Sequence, residues 1–315
     1  MKLLLALVAA RASKTCRHHR RLAAVTFNAS TALAAAAPPV GNTTIALLSV
    51  GQPRGVLEHP VVVRQFRLMR SSLSRHGLFL ALVGDGTLRK PTHKTAKDLK
   101  RLYGARGLEI LPKAAPPPCH GNTRMDHDSA RRFVAMVMHF RQGYRLVQKY
   151  EQRRGAAYDT IVKVRPDLIY FAPFPGITAV TRDVGHGVSI AAVTRAVAHG
   201  VMTRTGRFQR LNDHIFVCRR GACSSYFEHL PGLWDACDAI LRKFTFPPQK
   251  YLFPDGEAEN LLLDVPYTLV RPGPCVECHR VGRCSSATGT QDCSTKALLP
   301  HRDACHRLDA EMSNT

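Results

Sequence analysis

The run from Tyr158 to Tyr170, Tyr-Asp-Thr-Ile-Val-Lys-Val-Arg-Pro-Asp-Leu-Ile-Tyr, sets three charged side chains at alternate positions. Lys163, Arg165 and Asp167 are polar, whereas Val162, Val164 and Leu168 between and beside them are apolar. Alternate residues of an extended strand share a face, so this spacing predicts two cations and a carboxylate presented together. The chemistry open to such a set is electrostatic: cations neutralise an anionic ligand, and a carboxylate holds a cation or accepts from a hydroxyl. Pro166 has no N–H for a sheet ladder and biases Arg165 away from helix. The chain should therefore bend there and leave Arg165 and Asp167 near a crevice. The structural alternative is a solvated strand face or a plain Arg–Asp ion pair.

Two later stretches carry further candidates. Leu211-Asn-Asp-His-Ile-Phe-Val217 places Asp213 and His214 just before an apolar run, and Asp255-Gly-Glu-Ala-Glu-Asn-Leu-Leu262 places Glu257 and Glu259 beside a glycine. Asn212-Asp213-His214 also reads as a structural turn, and acids in a first helical turn commonly do no more than complement the helix dipole.

With the two later stretches, the Tyr158–Tyr170 pattern resembles a group of glycosyltransferase-like proteins of GT-A fold. Members of that group carry Arg-Pro-Asp where better-known relatives carry a metal-holding Asp-x-Asp. The resemblance covers about residues 158 to 265. It implies transfer of a sugar from a nucleotide-sugar donor to a hydroxyl on a glycan, protein or small molecule. In that reaction Lys163, Arg165 and Asp167 would hold the donor, Asp167 and His214 would hold a manganese or magnesium ion, and Glu257, Glu259 or Asp213 would take the acceptor proton. A single carboxylate holds a divalent ion less well than two, and Arg165 could take over part of its charge. A relative that binds glycans or scaffolds without catalysis is the first alternative reading. A basic polyanion-binding protein is the second.

With 315 residues and 45% hydrophobic content the chain can bury a substantial core. A net charge of +22 and a pI near 10 favour polyanions, acidic glycans, nucleotide phosphates or anionic membrane faces. Nucleic acid is disfavoured, because aromatics make up only 7% and no zinc-finger, RNA-recognition or helix-turn-helix pattern is present. The sequence also lacks Gly-x-Gly-x-x-Gly, a phosphate-loop Gly-Lys-Ser/Thr and Gly-x-Ser-x-Gly, which removes dinucleotide, phosphate-loop and serine-hydrolase readings.

The elements that must position these residues are legible from periodicity. Ile45 to Val50 reads as a strand followed by a Gly51-Gln52-Pro53 turn, where a nucleotide-binding first strand and loop would sit. A helix over residues 60–76, a strand from Leu78 to Val83, a short helix from Thr95 to Tyr103 and a strand from Leu108 to Leu111 follow. The longest helix runs from Asp128 to Arg154, with Phe133, Val137, Phe140, Tyr144 and Val147 as a core stripe and Gly155 as its cap. Later elements are strands near Val188–Val193, Ile215–Cys218 and Tyr267–Val270, a helix over Ser224–Phe244 and a short helix over Glu257–Leu263. Strands alternating with helices imply an α/β fold with a mainly parallel sheet flanked by helices.

Residues 43–272 are expected to form this GT-A-like domain. Residues 1–42 read as a targeting segment and linker. Leu3–Ala10 has the length of a signal-peptide core, Leu22–Val40 that of a weak signal anchor able to place one membrane span, and an organellar transit peptide fits the same composition. Residues 273–315 hold five of the ten cysteines and read as an irregular, crosslinked tail. Disulfides lead over zinc through Cys275, Cys278, His279 and Cys284, so the expected setting is an oxidising lumen of the secretory pathway.

Overall fold

The computed structural model describes residues 44–53, 57–73, 75–84, 93–113, 124, 127–174, 190–192, 214–221, 223–243, 258–259, 267–271, 275–276 and 302–313. The targeting segment, Asp213 and Glu257 lie outside these residues.

The first half of the chain alternates strand and helix: β1 (Ile45–Gly51), α1 (Pro60–Arg70), β2 (His76–Val83), α2 (His93–Tyr103), β3 (Gly107–Leu111), α3 (His127–Arg154) and β4 (Thr160–Val164). The second half adds β5 (Leu168–Tyr170), β6 (Ile190–Ala192), β7 (Ile215–Arg219), α4 (Cys223–Phe227), α5 (His229–Asp235), a 3-10 turn (Ala239–Lys243), β8 (Ala258–Glu259), β9 (Tyr267–Arg271), β10 (Cys275–Val276) and α6 (Arg302–Ser313). The main sheet has the order β3-β2-β1-β4-β7-β6-β8, and only β7 runs antiparallel to its neighbours. A small antiparallel sheet, β10-β9-β5, sits beside it. This is the α/β architecture expected, with a mainly parallel sheet flanked by helices.

The central strands are apolar without interruption because both of their faces are covered, as in buried parallel sheets. On one face Val62, Phe66, Met69, Leu99 and Tyr103 of α1 and α2 pack over Ile45, Leu47, Leu78, Leu80, Val162 and Val164. On the other, Phe133, Val137, Phe140, Tyr144 and Val147 of α3 pack over Ala46, Leu48, Phe79, Ala81 and Ile161. The aromatic stripe of α3 is therefore core. Gly143 lets α3 lie directly on the sheet: a Cβ there would stand 3.2 Å from Ala81 Cβ and Val50 Cγ2.

Several expectations are corrected. The helix expected over residues 60–76 stops at Arg70, because a turn through Arg75, at φ +47°, brings His76 into register with Ile45. The helix expected over Ser224–Phe244 is broken into α4, α5 and the 3-10 turn. Pro231 has no N–H to donate and sits in the first turn of α5, where none is needed. Where a helix was expected from Glu257, Ala258–Glu259 instead pairs with β6 as an edge strand, the ladder outweighing local helix preference. The tail is not irregular throughout. α6 buries Leu308 and Met312 in the α1 core, Arg64 Nη2 donates to Glu311 Oε2 at 2.7 Å, and β10 extends the small sheet.

Candidate functional site

Strand order fixes where a ligand can enter. From β1 the chain winds outward to β2 and β3 with α1 and α2 on one face, then returns to β4 on the other side of β1 with α3 on the opposite face. The winding reverses between β1 and β4, and ligands of open α/β sheets bind beyond the carboxyl ends of the strands at such a point. Here those ends are Gly51 to Pro53 after β1 and Arg165 to Asp167 after β4.

Both ends are shaped by the local sequence. Gly51 has φ +136°, a conformation that suits glycine, and a Cβ there would stand 3.4 Å from Pro166 Cδ. Gly51→Ala is expected to cost about 1–3 kcal/mol of stability. Urea unfolding would measure it, and an unchanged midpoint would show that the two strand ends do not constrain one another. β4 stops at Val164, as Pro166 requires, and the Arg165 N–H donates to the His214 carbonyl at 3.0 Å, one residue beyond the last rung of the antiparallel pairing with β7.

The Arg165 guanidinium grips Asp167 with a two-pronged bond: Nε to Oδ1 at 2.8 Å and Nη2 to Oδ2 at 2.7 Å. The Asp167 side chain has no exposure, whereas that of Arg165 keeps 20%. Arg165 is thus the member of the pair that reaches the surface, and Asp167 fixes the plane in which its fork is presented.

Of Lys163, Arg165 and Asp167, only Lys163 lies within the strand, which ends at Val164. Lys163 lies within β4 on the α3 side, fully buried, with Nζ 3.9 Å from the centre of the Phe140 ring. His214 is brought to the crevice edge beside Arg165 and is 5% exposed. Glu259 is not brought there. It is in register with Ala191, which pairs with Val217 opposite Val162, so its backbone lies three strands from β4, about 14 Å at normal strand spacing.

The donors as placed do not fit a divalent cation. Both Asp167 oxygens accept from a guanidinium, so an ion at Asp167 would have to displace Arg165 or sit against its positive charge. Among the described residues no three His, Cys, Asp or Glu side chains cluster in a way that could hold a metal ion. A Cys218–Cys223 disulfide joins β7 to α4; its pairing was not derivable from the sequence. No described helix is long and apolar enough to cross a membrane.

What the sequence reading missed is a second concentration of charge, where α1 and α2 end. Its signal was present as Arg67 and Arg70 in one helical last turn and Lys100 and Arg101 in the next.

No family model matches this chain, and no curated protein matches it. Among solved structures it is similar to mouse xyloside xylosyltransferase 1 in the apo form, with 12% identity and TM-score 0.33 over 70% of this chain and 84% of that one. It is also similar to a glycosyltransferase involved in glycosylating the major capsid of PBCV-1, with 12% identity and TM-score 0.34 over 85% and 98% of the two chains. A third is 4-diphosphocytidyl-2C-methyl-D-erythritol synthase from Anaerococcus prevotii, with 9% identity and TM-score 0.35 over 70% and 87%.

Proposed function

We propose that the chain is a glycosyltransferase that moves a sugar from a nucleotide-sugar donor to a hydroxyl acceptor on a glycan, protein or small molecule. The observation that carries this reading is the Arg165–Asp167 fork, set at the carboxyl ends of β1 and β4 where the winding of the sheet reverses. In transfer the bond from the anomeric carbon to the diphosphate oxygen breaks, the acceptor oxygen bonds to that carbon, and the diphosphate leaves with added negative charge. A guanidinium held rigidly at the crevice is suited to that charge and carries it without a metal. Asp167 acts through Arg165 as a positioning residue. The acceptor proton would go to a carboxylate. Asp213 is next in the chain to His214 at the crevice edge, and Glu257 remains a second choice; the position of Glu259 makes it the weakest.

The sealed carboxylate of Asp167 favours one further reading, a relative that binds glycans and has lost catalysis. Thermal-shift screening of the whole chain against uridine, guanosine and cytidine diphosphosugars, with and without manganese, tests both. The expected result is a rise in Tm with one nucleotide class, little changed by manganese and absent in Arg165→Lys, which keeps the charge but not the fork. No response to any donor, together with binding to neutral oligosaccharides, would support the silent relative instead. The Cys218–Cys223 disulfide suits an oxidising compartment, and we place the protein in the secretory pathway on that chemistry.

A further inference from the structure

The basic residues are not spread evenly. A cleft of about 930 Å³ is lined by Arg67, Arg70, His76, Lys97, Lys100, Arg101 and Arg106, together with a few small or apolar residues and no acid. Its position follows from the winding: α1 and α2 each return the chain to the amino ends of the strands, so their last turns meet beside His76, the first residue of β2. The crevice at Arg165 lies at the opposite ends of the same strands. β1 has seven residues, so the two sites are about 20 Å apart.

The cleft is built, not a chance gathering of mobile side chains. Arg67 Nη2 donates to the Leu102 carbonyl at 3.1 Å and Arg70 Nη1 to the Tyr103 carbonyl at 2.6 Å, which anchors both guanidinium groups on the end of α2. Lys97, Lys100 and Arg106 are exposed around them, and Arg101 pairs with Asp98 at its rim. Burial, with help from the charge of Arg67, pushes the Arg70 pKa below its usual value. Burial likewise lowers that of His76, and the charges of Arg70 and Arg106 lower it further. Cations crowded this closely create a local potential that an anion relieves.

We propose that this cleft binds an acidic oligosaccharide, a chain bearing sulfate or carboxylate groups. It is shallow and open, a form that lets an extended chain lie across it. Guanidinium forks match sulfate and carboxylate geometry, and cations on two helices and on the turn before β3 match charges repeated along a chain. The lining contains no Phe, Tyr or Trp, the platforms on which single-stranded nucleic acid stacks its bases. Leu73 and Ala105 are its only clearly apolar residues and both are buried, so it offers no apolar side chain for insertion into a bilayer. This inference is independent of the sugar-transfer reading.

Isothermal titration of the full chain with a size-defined heparin oligosaccharide tests it. One saturable site is expected, weakened by added salt. Lys97→Ala, Lys100→Ala and Arg106→Ala together should lower affinity at least tenfold with Tm unchanged, since all three side chains are exposed. Arg132→Ala, Lys149→Ala and Arg153→Ala together remove the same charge from exposed positions of α3 on the opposite face and should change affinity less than twofold. An equal loss in both triple variants would show that net charge alone is responsible and overturn the site. A single-stranded oligonucleotide or anionic vesicles binding as tightly, with the same dependence on Lys97, Lys100 and Arg106, would overturn the ligand class.

Discussion

Glu151→Ala is expected to lower the stability of the fold by about 3–5 kcal/mol, the cost of breaking a buried ion pair from one side. Glu151 is 6% exposed in the last turn of α3 and serves three elements at once. Its Oε1 accepts the backbone N–H of Tyr158 at 2.9 Å, ahead of β4. Its two oxygens also accept from Arg220 after β7, Nε at 3.0 Å and Nη2 at 2.8 Å. Arg220 in turn donates to the Tyr144 hydroxyl and passes its backbone N–H to the Asp159 carbonyl at 3.0 Å. The bond to Glu151 raises the Arg220 pKa, and burial raises that of Tyr144, so neither group titrates near neutrality. Alanine would leave the Tyr158 N–H without an acceptor in a buried setting and Arg220 without its counter-ion. Urea unfolding would show the loss directly, and Tm should fall by roughly 10 °C. Glu151→Gln keeps an acceptor for Tyr158 and should lose about half as much. A loss below about 1 kcal/mol for alanine would mean that water replaces the carboxylate at no great cost and that the network is peripheral.

Arg165→Ala has the second large effect, and it differs from Asp167→Ala for a physical reason. Removing the arginine takes both guanidinium bonds from a carboxylate with no exposure, again about 3–5 kcal/mol. Removing the aspartate leaves a guanidinium that is 20% exposed and can turn toward water, a loss of about 1.5–3 kcal/mol. The double variant should be more stable than Arg165→Ala alone, because the buried charge is removed together with its guanidinium partner. Both single variants should abolish the thermal response to a nucleotide sugar, the first by removing the group that meets the diphosphate and the second by releasing its orientation. If Arg165→Ala matched the parent in stability, the carboxylate would have to be satisfied elsewhere, and its role in positioning Arg165 would be refuted.

Asp167 shows where reading the chain alone reached its limit. Alternation between 162 and 168 gave a shared polar face, but alternation holds only while the backbone stays extended, and Pro166 ends it. The proline was visible, and so was the bend. The partner of Asp167 was an open choice between a ligand, solvent and Arg165. Glu259 illustrates the opposite error: a Gly-Glu-Ala-Glu run favours helix locally, yet Ala258 and Glu259 are claimed by a ladder to β6, a strand more than sixty residues earlier. Local preference amounts to a few tenths of a kcal/mol per residue, so one long-range pairing overrides it.

The sequence by itself determined the alternation of strands and helices, the apolar stripe of α3, the end of β4 before Pro166 and the parallel character of the sheet, because side-chain period and proline geometry act over a few residues. Only the tertiary structure decided that the carboxylate of Asp167 is closed off by Arg165, that Cys218 meets Cys223, and that cations from Arg67 to Arg106 gather in one cleft. Those outcomes depend on which ends of which elements meet at an edge of the sheet. The pairing order of the strands sets that, and no periodicity within any one segment encodes it.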